Sequence, residues 1–223
     1  SLVESIKENG VLNPIIVRQI EDGKFEIISG HRRKRAIELA NFEEIPCIVR
    51  DLTDEEATIL MVDSNLQREE ILPSEKAYAY KMKMDAMKRQ GERTDLTSTP
   101  LVEKLRTNEK IGEEIGESRE QIRRYIRLTK LIPEILQMVD DKKIAFRPAV
   151  EISYLTEKEQ SILLDIIEYN ESTPSLAQAI YLKKQSQEKT LTEEKIEEIM
   201  EEQKPNQIEK IKINKNNLIK SID

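Results

Sequence analysis

The spacing of apolar positions along this chain changes once, near residue 51. Before that point helix and strand signals alternate. Leu2, Val3 and Ile6 recur at helical spacing and stop at Asn9 and Gly10. The apolar runs 15–17 and 25–28 follow, and the pair Asp22 and Gly23 between them predicts a hairpin. Gly30 breaks the second strand, a helix is expected through Arg35 to Ala40, and 45–49 supplies another strand. After Asp51 strand signals almost vanish. Helices are predicted over 53–65 and 74–90, the second with Ala77, Tyr80, Met84 and Met87 on its apolar side. A polar connection at 89–100 carries Gly91 and Pro100, and short helices follow at 101–106, 108–115, 118–130, 133–140, 148–155, 156–169 and 174–185. Beyond 185 the chain is charged and poor in apolar residues, so a solvated helix to Met200 and then disorder are expected. The pattern therefore predicts an α+β chain: a small mixed module over 1–72, an all-α unit over 73–185 and a charged tail over 186–223. The first residue is not Met and lies inside a helical pattern, and the end is rich in Lys and Asn; a piece trimmed at both ends is expected.

Composition narrows the function classes. No stretch is apolar enough to span a membrane. The only cysteine, Cys47, lies in an apolar run, which excludes a disulfide framework, fits a reducing cytoplasm and suggests a core filler. With one His and one Cys, a His/Cys zinc site is excluded. The net charge of -7 argues against nucleic acid when taken alone. Distribution matters more than the sum: 31–35 and 119–130 are strongly basic, while the acidic excess collects in 53–75 and after 190.

The second basic stretch reads as a helix-turn-helix, NEKIGEEIGESREQIRRYIRLTK over 108–130. Ile111 and Ile115 face inward in its first helix, Gly116 suits a positive-φ turn, and Ser118 with Gln121 forms a capping box for the second helix. Ile122, Ile126 and Leu128 then face inward, leaving Arg119, Gln121, Arg123, Arg124 and Arg127 outside. A recognition helix presents its first turns to base edges, where Arg and Gln make bidentate contacts, and later arginines neutralise phosphates. The alternative is a basic amphipathic helix in a bundle with solvated arginines; the coincidence of turn glycine, cap and cationic face favours the first.

The other basic stretch, SGHRRKR over 29–35, sits where a strand gives way to a helix. A helix start exposes N–H groups and partial positive charge, and a glycine permits close approach, so a polyphosphate is favoured there. A basic patch touching a DNA backbone is the alternative on composition alone.

Three ordered segments resemble the N-terminal signatures of the ParB/Noc partition family: GVLNPIIVR over 10–18, GHRRKRA over 30–36 and NLQR over 65–68. The helix-turn-helix and later helices fall in that family's order, so the resemblance runs from residue 1 to about 185. It implies a ParB/sulfiredoxin-like N-terminal module followed by a helix-turn-helix DNA-binding domain. It also implies CTP with Mg2+ bound by Asn13, Pro14, Ile15, Gly30, His31, Arg32, Arg33, Arg35, Asn65, Gln67 and Arg68, and double-stranded DNA contacted by Ser118, Arg119, Gln121, Arg123, Arg124, Arg127 and Arg147. A homodimer of the full-length protein, closing as a clamp, and a ParA-type ATPase partner come with it, in a cytoplasmic protein associated with nucleoid or plasmid.

The chain departs from the pattern at several positions. His31 and Ser64 stand where members usually carry Glu, and Asn13 where Gln is common. A hard-cation ligand is lost before Asn65, which leaves Asn65 with the neighbouring Asp63 as metal candidates and implies weak or absent CTP hydrolysis. FRPAV over 146–150 replaces a segment in which an Arg helps read the site; Val150 cannot do so, Arg147 can, and a different target sequence is implied. The GHRR form resembles proteins of plasmids and integrative conjugative elements. Sulfiredoxin chemistry is excluded because Gly30 stands where its cysteine would be, and no dense acidic cluster supports a nuclease. A sequence-specific regulator without nucleotide switching is the competing expectation.

Overall fold

The computed structural model describes residues 1–68, 70–92 and 117–201. Its N-terminal part carries a three-stranded sheet of order β2-β1-β3, made of β1 (Ile15–Gln19), β2 (Phe25–Ser29) and β3 (Cys47–Val49). β1 pairs antiparallel with β2, Val17 opposite Ile27, and parallel with β3, Ile15 opposite Cys47. The expected hairpin forms: Asp22 and Gly23 take φ of 64° and 70° in its turn, and the Ile20 N–H donates to the Lys24 carbonyl at 2.9 Å. β3 returns parallel to β1 only after α2 (His31–Leu39), the crossover that a parallel pair requires. α1 (Leu2–Asn9) is opened by a Ser1/Glu4 capping box and closed by Gly10, and its Ile6 packs on Ala36 and Ile37 of α2.

Cys47 is not core filling. β3 forms the sheet edge with all three residues exposed, and the thiol turns back to donate to the Ile45 carbonyl at 3.1 Å. Arg18 joins the hairpin to the helices that follow: its Nε meets Glu26 at 2.6 Å, its Nη2 meets Asp54 at 2.7 Å, and its Nη1 donates to the Leu52 carbonyl at 3.3 Å.

α3 (Asp54–Leu66) starts on a Thr53/Glu56 capping box, and α4 (Pro73–Glu92) packs against it. Between them Lys83, only 1% exposed, places its ammonium 2.6 Å from the Asp63 carboxylate. α4 also leans on the helical unit, where Tyr80 and Met84 cluster with Ile122. That unit contains α5 (Arg119–Leu128), α6 (Pro133–Asp140), α7 (Phe146–Ile152), α8 (Glu157–Asn170), α9 (Leu176–Gln187) and α10 (Glu193–Glu201). Leu128, Ile135, Ile152, Leu163, Leu182 and Ile196 are fully buried at its centre. The buried Gln160 is satisfied, accepting from the Ile132 N–H at 2.9 Å and donating to the carbonyls of Lys130 and Leu155.

Two helical expectations change. α7 starts at Phe146 rather than 148, since Pro148 is tolerated in a first turn. The helix expected to be solvated after 185 is part of the core: Ile196, Ile199 and Met200 form a stripe of i, i+3, i+4 spacing that is buried, and the Gln178 amide donates to the Ile199 carbonyl at 2.8 Å. The helices expected at 101–106 and 108–115, with the turn glycine Gly116, lie outside the described residues. Among the described residues no helix is long and apolar enough to cross a membrane.

Candidate functional site

The first candidate surface is the junction of β2 and α2. Gly30 is the N-cap of α2 at φ 108°, a left-handed conformation that L side chains rarely adopt. A Cβ there would lie 2.6 Å from Ile15 Cγ2, so glycine is also what lets the β1 start pass this close. No side chain caps the helix, and no acid sits in its first turn. The first-turn N–H groups therefore face a cationic surround of exposed His31, Arg32 and Arg35, the last paired loosely with Glu38 at 3.6 Å. That combination of orphan donors, helix dipole and guanidinium groups favours a multiply charged anion.

Arg33 plays a different part from its neighbours. Its Nη1 donates to the backbone carbonyls of Asn13 at 2.8 Å and Pro14 at 2.5 Å, so it fastens the loop 13–14 to the helix start. With Ile15 buried against Gly30, two of the three expected segments are thus brought together. The third is not joined to them by contact. Asn65, Gln67 and Arg68 are exposed at the end of α3. Asn65 and Arg68 line a groove of about 260 Å³ with Ile71, Tyr78 and Met82 of the α4 side. No hydrogen bond or ion pair links 65–68 to 30–35 among the described residues.

The two metal candidates, Asp63 and Asn65, are not turned toward one another. Residues two apart on a helix point in different directions, and Asp63 is turned to the buried Lys83 of α4 while Asn65 is exposed. Ser64 adds no ligand, because its Oγ donates to the Leu60 carbonyl at 2.9 Å. A single amide oxygen at Asn65 does not make a site for a hard dication, which takes about six oxygens. Among the described residues no group of three or more His, Cys, Asp or Glu side chains is gathered to hold a metal ion.

The second candidate surface is α5. The Ser118 side chain caps it by accepting the Gln121 N–H at 3.2 Å, the first half of the expected capping box. Ile122 and Leu128 are buried, and Arg123 projects outward. Arg123 and Arg124 share Glu120 at 3.7 and 3.6 Å, exposed pairs of little strength. Arg147 is exposed on the first turn of α7.

Arg127 departs from the expected outward row. Its Nε and Nη2 donate to Ser153 Oγ at 3.1 Å and to the Ser153 carbonyl at 2.6 Å, and its guanidinium lies 4.0 Å from the Tyr154 ring centre. It forms part of a cleft of about 370 Å³ together with Lys81 of α4, Lys130 and Tyr154. Sequence reasoning missed Lys81 and Tyr154. The position of Lys81 on the charged side of α4 was visible; nothing in the pattern marked Tyr154.

The described residues thus form a small mixed module joined to a helical unit that opens on a cationic, Ser-capped helix. The description "ParB N-terminal domain" matches residues 1–66, and "ParB HTH domain" matches residues 100–185. A nucleoid occlusion protein of Listeria innocua is 36% identical over 170 residues, covering 76% of this chain and 54% of that protein. A nucleoid occlusion protein of a Geobacillus species is 34% identical over 163 residues, 73% and 52% of the two chains. The C-terminally truncated ParB of Caulobacter crescentus, crystallised on its centromeric parS site, is similar over 89% of this chain and 86% of that one, at 24% identity and a TM-score of 0.48. The chain belongs to the ParB/Noc family. It spans about half the length of the nucleoid occlusion proteins it matches.

Proposed function

We propose that this chain is the nucleotide- and DNA-binding part of a ParB-like partition protein. It grips a centromere-like duplex through α5 and closes as a CTP-dependent dimeric clamp, serving the segregation of a plasmid, mobile element or chromosome in the cytoplasm. A ParA-type ATPase is the partner this role calls for. The observation that carries the nucleotide half is the start of α2, where Gly30 leaves the first-turn amides uncapped by any side chain and no acid of the first turn stands beside His31 and Arg32. Phosphates complement such a cradle through charge-assisted hydrogen bonds. Magnesium fits as an ion that arrives on the phosphates, with Asn65 as its candidate oxygen ligand among the described residues. With His31 and Ser64 in place of carboxylates, and Asp63 held by Lys83, hydrolysis is slow or absent.

Calorimetry with CTP, UTP, ATP and GTP, each with and without DNA and magnesium, tests this reading. Saturable heat with CTP that weakens in Arg32→Ala and Asn65→Ala supports it. No heat with any nucleotide, in a protein extended to the length of its relatives, leaves a sequence-specific DNA-binding regulator. The observation favouring that second reading is that His31 and Ser64 stand where the resembled pattern carries carboxylates. On the DNA side, Arg119→Ala and Gln121→Ala each reduce discrimination between sites by roughly 1–3 kcal/mol if the contact is bidentate to a base. Unchanged discrimination in both variants removes α5 from base reading.

A further inference from the structure

We propose that Tyr154 is a positioning residue for DNA binding: with Ser153 it seats Arg127 as a ready-made contact for a backbone phosphate. The inference rests on the DNA reading of α5. Near the C-terminal end of α5, Arg127 lies away from the turns that address base edges, so a phosphate is the group it suits. Its seat is fixed from below. Ser153 is buried, its Oγ donates to the Val150 carbonyl at 2.7 Å, and it accepts from Arg127 through both its hydroxyl and its carbonyl.

Charge then decides what the seat is for. The Tyr154 ring carries two cations, the Arg127 guanidinium and the Lys183 ammonium, each 4.0 Å from its centre. Two like charges on one ring repel unless an anion offsets one of them. Glu151 does so for Lys183 at 2.8 Å. Arg127 forms no ion pair among the described residues. Arg127 also lines a cleft where Lys81, Arg123, Arg124 and Lys130 are accompanied by a single acid, Glu120. A phosphodiester offsets that excess, and Arg127 meets it without losing rotamer freedom, since ring and serine hold it beforehand.

The test uses the 223-residue chain and a fluorescein-labelled duplex of arbitrary sequence, with anisotropy titrations over a series of salt concentrations. Arg127→Ala lowers the slope of log K against log salt by about one unit. Tyr154→Leu weakens binding roughly three- to tenfold, whereas Tyr154→Phe, which keeps the ring face, stays near wild type. In the Arg127→Ala background Tyr154→Leu adds no further loss, because the two act as one unit. Tyr154 is 40% exposed, so its replacement leaves the core intact, which thermal melts verify. The positioning role is overturned if Tyr154→Leu costs the same factor with and without Arg127, or costs nothing. An Arg127→Ala slope equal to wild type overturns the phosphate contact. A wild-type chain that fails to bind the duplex even at low salt sinks the DNA reading, an outcome distinct from both.

Discussion

The two ends of this molecule hold their cations on very different foundations. In the helical unit, α5 stands on a continuous core in which Leu128, Ile135, Leu163 and Leu182 are inaccessible to water. In the N-terminal module, α2 stands on a cluster of Ile6, Ala36 and Ile37, while Leu12, Phe25 and Val49 remain more than half exposed. A small module buries a small share of its apolar surface and is marginal by itself. The arginines of α5 are thus mounted on a densely buried core, and those of α2 on a thin layer held by specific bonds, such as Arg33 to the 13–14 carbonyls and Arg18 to Glu26 and Asp54. One surface is suited to reading a fixed shape and the other to being ordered by what it binds.

Core truncation gives the largest expected effect and tests that contrast directly. Leu163→Ala leaves a cavity in a core that is packed on all sides and costs about 3–5 kcal/mol. Ile37→Ala removes a side chain just as buried, but the small module collapses around it more easily, and about 2–3 kcal/mol is expected. Urea midpoints followed by circular dichroism measure both. Equal losses would mean that the N-terminal module is packed as tightly as the helical unit.

Next in size is Gly30→Ala. A Cβ would meet Ile15 at 2.6 Å in a backbone conformation already costly for alanine, so roughly 2 kcal/mol is lost. The damage is local: DNA affinity at low salt should stay within twofold of wild type or so, while nucleotide binding falls sharply. If DNA affinity falls in step with nucleotide affinity, the two foundations are not separate.

Arg33→Ala is smaller again. It removes two charge-assisted bonds to carbonyls that water can partly replace, and about 1–2 kcal/mol is expected. Arg32→Ala, at an exposed side chain, should leave stability unchanged. A pair of melts with matched nucleotide titrations separates a structural arginine from a binding one, and the assignment fails if the two variants exchange behaviours.

How far the sequence reveals these features depends on their range. Elements set by local chemistry were legible: the hairpin from Asp22 and Gly23, the cap at Ser118, and the turn at Gly30. The cationic groups were legible as a composition. What they touch was not, because partners distant in sequence leave no periodic trace. Arg127 looked like its neighbours until Ser153 and Tyr154 came beneath it, and nothing in the pattern announced that Lys83 of α4 would meet Asp63. α10 was discounted for its many glutamates, although its three apolar residues already had helical spacing.

The smallest expected effect concerns the contact through which the two ends meet. Tyr80 of α4 is fully buried beside α5, and its Oη and the Oε2 of Glu117, one residue ahead of the α5 cap, are both shut from water without a hydrogen-bond partner. Burial first, and the nearby Glu117 charge second, push the Tyr80 phenol above its ordinary value of 10.0. A phenol raised in the folded state contributes stability that is fully present below the unfolded value and is lost as pH climbs past it. Wild type should therefore lose more stability than Tyr80→Phe between neutral pH and pH above about 10. At neutral pH the same substitution should leave stability unchanged or raise it by up to about 1 kcal/mol, because it deletes a buried hydroxyl that lacks a well-formed bond and so removes a desolvation cost. Urea midpoints of both proteins at the two pH values decide it. A neutral-pH loss well over about 1 kcal/mol would show that Tyr80 bonds to Glu117 after all, and α4 would then be tied to the start of α5 by a polar bond as well as by packing.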